Sequence, residues 1–152
     1  MKNIIKLVLI AAIIPLTFCG CMRCENKTVF TSPFVESFLA NYNYELTDSA
    51  GTKLADGTLR TRIYKEPDFT GTFTASKLTE DNTLKILPPD GKLTGTLDEK
   101  NRKGFINMNP AIADDNVFLR FTVTESALDG TWERSGMTGT KAKGFFRAVK
   151  IK

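Results

Sequence analysis

From residue 42 to the end of the chain, apolar and polar side chains alternate with a period of two, in short runs broken by turn residues. This pattern restricts the chain to pleated sheet. Leu59, Thr61 and Ile63 fall on one face, with Arg60, Arg62 and Tyr64 on the other. Phe69, Gly71, Phe73 and Ala75 oppose Thr70, Thr72, Thr74 and Ser76, and Val117, Leu119, Phe121 and Val123 oppose Phe118, Arg120, Thr122 and Thr124. Leu128, Gly130 and Trp132 oppose Asp129, Thr131 and Glu133, while Ala142, Gly144, Phe146 and Ala148 oppose Lys141, Lys143, Phe145 and Arg147. The pattern predicts eight strands, at about 42–48, 57–65, 69–78, 91–98, 103–109, 116–124, 127–134 and 142–151. Asp56-Gly57, Pro89-Asp90-Gly91 and Asp114-Asp115-Asn116 supply turn chemistry between them. The longest connection, 79–90, carries Leu84, Ile86 and Leu87 and has room for an extra short strand.

Each strand has one apolar and one polar face, as an antiparallel sheet with one side in water requires. Gly71, Gly95, Gly130 and Gly144 share the apolar face with Phe73, Leu97, Trp132 and Phe146. Small residues there let a sheet bend sharply, and a large neighbour fills the space created. Closure also removes exposed strand edges. The expected fold is therefore all-β, an eight-stranded antiparallel up-and-down barrel.

Ahead of the strands, Ser32-Pro33-Phe34-Val35-Glu36-Ser37-Phe38-Leu39 reads as a short helix capped by Ser32, with Pro33 at its first position. It gathers Phe34, Val35, Phe38 and Leu39 on one side, and a helix this short persists only when packed. Two placements follow. The segment plugs one barrel mouth and leaves the other as the entrance, or it clasps the outside near Val149 and Ile151.

The first twenty residues have a positive start at Lys2 and Lys6 and an apolar run over 7–18, the layout of a secretory signal. The run is too short to span a membrane, which takes about 20 residues. It ends in Phe18-Cys19-Gly20-Cys21. This resembles a bacterial lipobox, and the resemblance implies cleavage before Cys21 and acyl chains on that cysteine. Removal of 1–20 deletes two lysines and no acid, which lowers the formal charge of +4 by two. Residues 21–31 then form the lipidated cysteine and a polar tether, and 32–152 the barrel domain. Met22 stands where, in the sorting rule of enteric bacteria, an Asp would retain the protein at the inner membrane. The expected location is thus the cell envelope, at the outer membrane or periplasmic face. Cys21 and Cys24 share a Cys-x-x-Cys spacing, but an extended N-terminus offers nothing to lower a thiol pKa.

The architecture resembles the lipocalin-like barrels, and Gly130-Thr131-Trp132 is similar to the Gly-x-Trp of that family, here on the seventh strand. Together with Gly144-Phe145-Phe146-Arg147-Ala148 it also resembles the end of small bacterial barrel lipoproteins of unknown role. Eight strands give an interior that side chains can nearly fill, or that can hold one small ligand.

Composition excludes several chemistries. No histidine is present, and the three cysteines all precede residue 25. A His-ligated metal site and a His-dependent triad are therefore ruled out. No phosphate loop, dinucleotide fingerprint or zinc spacing occurs. Asp114, Asp115 and Asn116 supply too few oxygens for Ca²⁺. Glu66 and Asp68, like Asp98 and Glu99, sit in turns, and no acid pair is forced together. We expect no enzyme activity, cofactor, metal or nucleic-acid partner. Lys141, Lys143, Arg147, Lys150 and Lys152 make the last strand basic, either as a solvated exterior or as a contact for anionic surfaces.

Two functional expectations remain. In the first, the barrel binds a small apolar or amphipathic molecule inside, lined by Phe73, Phe121, Trp132 and Phe146. Asn107 joins them if its face of the 103–109 strand turns inward; apolar content favours Ile106 and Met108 there instead. In the second, a solid barrel serves as an envelope scaffold, inhibitor or assembly partner through Tyr64, Phe118 and Phe145 on its outer faces. Its partners are then the membrane, through Cys21, and an envelope protein.

Overall fold

The structure, a computed structural model, describes residues 31–78 and 82–152. The expected signal, Cys21, Cys24 and the tether up to residue 30 lie outside these residues. Ser32 caps helix α1 (Pro33–Phe38) by accepting the Val35 amide at 3.2 Å, with Pro33 in the first turn. Eight strands follow: β1 (Asn41–Thr47), β2 (Lys53–Lys65), β3 (Asp68–Leu78), β4 (Asp90–Asp98), β5 (Lys103–Asn107), β6 (Asp115–Val123), β7 (Ala127–Gly136) and β8 (Gly139–Lys150). Each pairs antiparallel with its sequence neighbour, and β8 closes onto β1, so the all-β barrel is complete and without an open edge. Connection 79–90 holds a 3-10 turn at Asn82–Leu84 rather than the extra strand expected.

The period-two alternation decides what lies inside. Leu59, Phe69, Phe73, Leu119, Phe121, Leu128, Trp132, Phe146 and Ala148 are all buried. The space within the barrel is shared between rings and glycines on adjacent strands. The Phe73 ring lies where a side chain on Gly91 would be, Phe69 does the same at Gly95, and Phe121 at Gly104. The large residue thus fills the gap left by a glycine across the strand pair, whereas the sequence pattern paired them along one strand.

Irregularities reset some faces. A register shift between Thr61 and Tyr64 in the β2–β3 pair turns Ile63 out of the barrel, where it is 74% exposed, against the expectation that it shares a face with Leu59. A one-residue slip exchanges the two faces of a strand. Tyr64, expected outside, is in consequence half-buried against the core. The Thr61 hydroxyl is fully buried and satisfied, donating to the Phe38 carbonyl at 2.6 Å and accepting from the Ala40 amide at 3.0 Å.

Candidate functional site

The barrel interior is the first place to look for a site, and its contents are the chain's own rings. Phe38 of α1 enters the mouth formed by the end of β2 and the start of β3. Its ring meets Phe69 edge-on at 4.8 Å and stacks near Phe121 at 6.2 Å, and Phe121 in turn meets Phe146 at 6.2 Å. Val35 and Phe38 have no exposed surface. The helix is therefore a plug. Val149 and Ile151 remain 45% and 43% exposed, so it does not clasp the outer wall. Three further contacts hold it. The Tyr42 hydroxyl donates to the Phe38 carbonyl at 2.8 Å. The Ser32 hydroxyl donates to Glu99 at 2.6 Å. Arg102, left-handed at φ 53°, sets its guanidinium 5.4 Å from the centre of the Phe34 ring.

The opposite mouth, expected to be the entrance, is covered as well. Leu84 and Leu87 are buried there at 2% exposure each, and the Leu87 amide closes a turn on the Leu84 carbonyl at 2.9 Å. Arg134 fastens this cap by donating to the Thr83 carbonyl at 3.0 Å. The same guanidinium forks onto Asp115 at 2.8 and 2.7 Å, and Lys141 reaches the same carboxylate at 2.7 Å. Hydrogen bonds from Arg134, then Lys141, hold the Asp115 carboxyl far below the usual carboxylate range.

Of the predicted interior residues, Phe73, Phe121, Trp132 and Phe146 all lie inside, exposed by 4% or less. Asn107 does not. Ile106 and Met108 take the inward positions with no exposed surface, and the Asn107 side chain stands on the half-buried outer face, accepting from the Asn109 amide at 3.0 Å. The buried residues that the alternation implied but that were not singled out are Tyr42 and Tyr44. Burial raises the Tyr42 phenol to about 12. Tyr44 is raised further, by burial first and by the nearby Asp56 carboxylate second. The Tyr44 hydroxyl is buried without a hydrogen-bond partner, and so is the Asn116 carbonyl oxygen.

The predicted outer aromatics do not form one patch. Tyr64 points its hydroxyl at Glu99 across 2.7 Å and is tied to the α1 end. Phe118 is half-buried and stacks on Phe105 at 5.5 Å, with Arg120 over the same Phe105 ring at 5.2 Å. Phe145 stands alone at 56% exposure, between Thr131 of β7 and Thr47 of β1. Concavities on the outer wall and on a rim open to solvent. One of about 430 Å³ is lined by Asn43, Glu45, Lys53, Asp56 and Arg147. Another of about 610 Å³ is lined by Ser32, Glu66, Asp98 and Glu99, which brings those turn acids to one rim. Glu99 is committed there to Ser32 and Tyr64, and these two hydrogen bonds lower its pKa. Among the described residues, no group of three or more His, Cys, Asp or Glu is placed to hold a metal ion.

No family model matches the sequence, and no curated protein matches it. A solved structure does share the fold. EF1p2_mFAP2b bound to DFHBI superposes with a TM-score of 0.53, over 78% of this chain and 96% of that one, at 11% identity. That likeness concerns the fold. The barrel is thus of a kind that, in another protein, is found with a small molecule bound.

Proposed function

We propose that this chain is an exported, lipid-anchored and non-catalytic barrel that works through its outer surface, as an envelope scaffold, inhibitor or assembly partner. One observation carries the reading: the interior is occupied by the chain's own side chains and both mouths are covered, by Val35 and Phe38 at one end and Leu84 and Leu87 at the other. A ligand would have to displace one of these caps before reaching Phe121 or Trp132. The anchor is supported by Gly20-Cys21 at the end of the apolar run. Native mass spectrometry of the protein taken from its envelope tests both parts. The expected mass is that of a chain beginning at acylated Cys21 with nothing else bound. A stoichiometric small molecule would overturn the surface reading, and an unmodified N-terminus elsewhere would overturn the anchor. Cys21→Ser should leave a larger, unprocessed precursor.

A second reading keeps the small apolar or amphipathic ligand inside. It is favoured by the Tyr44 hydroxyl, since a buried polar group without a partner marks a place where a water or a ligand atom belongs. A panel of small aromatic and amphipathic compounds that raised the melting temperature of the wild-type barrel, and failed to do so for Tyr44→Phe, would establish it.

A further inference from the structure

Among the described residues no helix is long and apolar enough to cross a membrane. Three of the large apolar side chains that face water gather at one end of the barrel. They are Ile63 at 74%, Val149 at 45% and Ile151 at 43% exposure. Ile63 stands near the end of β2, and Ile151 follows β8, its amide bonded to the Asn41 carbonyl at the start of β1 at 2.8 Å. These elements are neighbours, because β1 pairs with both β2 and β8. Cations stand among them: exposed Arg62 and Lys65 on β2 and exposed Lys152, while half-buried Lys150 donates its ammonium to the Ser37 carbonyl of α1 at 2.7 Å. The acids of this end are Glu36 on α1 and Glu66, Asp68, Asp98, Glu99 and Glu125 in or beside its three turns. Three of these are engaged locally, Glu99 by Ser32 and Tyr64, Asp98 by Asn101, and Glu36 by the Thr31 hydroxyl at 3.4 Å.

The chain enters the barrel at this same end, through Ser32 and α1. Thr31 lies ten positions after Cys21, a reach of at most about 35 Å when fully extended. An acylated Cys21 would therefore keep this end, where the chain enters the barrel, within that reach of the bilayer. We infer that the β8–β1–β2 side of the α1 end is a membrane-docking face, with Ile63 and Ile151 entering the headgroup region and Arg62, Lys65 and Lys152 meeting anionic lipid phosphates. Exposed apolar side chains with cations beside them are the chemistry that an anionic bilayer surface selects. The orientation rests on the anchor proposed above. The exposed isoleucines and the cations do not.

The test uses the mature chain from residue 21, carrying Cys21→Ser so that no acyl chain contributes. It is sedimented with vesicles of phosphatidylcholine alone and of phosphatidylcholine with phosphatidylglycerol. The expected result is weak binding to the anionic vesicles only, reduced by salt. Ile63→Glu and Ile151→Glu should each lower the partition coefficient at least tenfold, and Lys152→Gln about fivefold. Met137→Glu, on the other end at 85% exposure, should change nothing. Both isoleucines are exposed, and an unchanged circular dichroism spectrum would show that the variants fold. Equal loss from Met137→Glu, equal binding to neutral vesicles, or no binding to either would overturn the docking face. None of these results bears on whether Cys21 is acylated, which the mass of the N-terminus decides.

Discussion

Adding one methyl group at Gly144 should be among the most damaging small changes this barrel can suffer. A Cβ built there would lie 1.9 Å from the Thr47 carbonyl oxygen, 2.9 Å from its carbon and 2.7 Å from the Trp132 indole nitrogen. That nitrogen donates to the same Thr47 carbonyl at 2.8 Å, so the indole reaches from β7 over the bare glycine of β8 to β1. Thr47 cannot swing aside freely, because it is paired with Phe145 of β8 and Lys53 of β2. The methyl must push β1 and β8 apart by about an ångström or force the indole out of its place. Overpacking of a dense core costs ~1–3 kcal/mol. Losing the indole bond while its N–H stays buried adds ~1–3 kcal/mol. The expected destabilisation from Gly144→Ala is thus roughly 2–6 kcal/mol, a large part of the ~5–15 kcal/mol that holds a domain together.

Urea unfolding followed by circular dichroism measures it, since the change disturbs the tryptophan signal itself. Trp132→Phe is the partner experiment. It keeps most of the apolar ring, removes the donor and should cost about 1–3 kcal/mol. The double variant should cost less than the sum of the two single changes, because the methyl no longer meets the indole nitrogen. A loss below about 1 kcal/mol for Gly144→Ala would refute the reasoning, since β8 and β1 would then have room that the Thr47 contact denies.

Phe38→Ala should cost ~3–5 kcal/mol, couple with Phe69→Leu and add independently to Val149→Ala, as double-mutant cycles would show. The cavity it leaves should take up benzene, read as a rise in the melting temperature of the variant alone. The chain has three tyrosines, and burial raises the phenol of each in the folded state, with Glu99 adding to the effect at Tyr64. Above pH ~10 the unfolded chain therefore loses protons that the folded one keeps. Stability should fall as pH rises beyond that point, and phenolate absorbance should appear only with alkaline unfolding. Asp115 works in the opposite sense, being depressed by Arg134 and Lys141. Its contribution is present above the ordinary carboxylate pKa and is lost as pH falls through the folded value; Asp115→Asn should remove that acid-side dependence and loosen the Leu84–Leu87 cap, seen as faster amide exchange at Leu87.

Much of the barrel could be read from the chain because its strands alternate without compromise. Val117, Leu119, Phe121 and Val123 are buried and Arg120 and Thr122 exposed, as a two-residue period demands. The failures have physical sources. The irregularity between Thr61 and Tyr64 inverts the end of β2, and nothing in Arg62-Ile63-Tyr64 announces it. Connection 79–90 places Leu84, Ile86 and Leu87 within four positions, a spacing that a short strand and a turn satisfy equally. Only the tertiary partners, Arg134 on the Thr83 carbonyl among them, decide for the turn. Tyr42-Asn43-Tyr44-Glu45-Leu46 alternates as plainly as any strand, and the two interior tyrosines could have been named from it. Asn107 was legible through its neighbours, since Ile106 and Met108 are the better residues to bury.

Whether an eight-stranded barrel is hollow depends on something the alternation does not carry. It says which side chains point inward, but the volume left over is set by register. Here the register lays Phe73 over Gly91, Phe69 over Gly95, Phe121 over Gly104 and Trp132 over Gly144. Rings that lean onto a neighbouring glycine hug the wall, which by itself would leave the axis open for a guest. The guest is Phe38. It comes from outside the strands and lies against Phe69 and Phe121, and its carbonyl is held by Tyr42 and Thr61. The segment preceding β1 supplies the occupant, so α1 fills the place where a ligand would sit. An interior ligand would therefore compete with α1, and its binding would be linked to the release of the helix from the mouth.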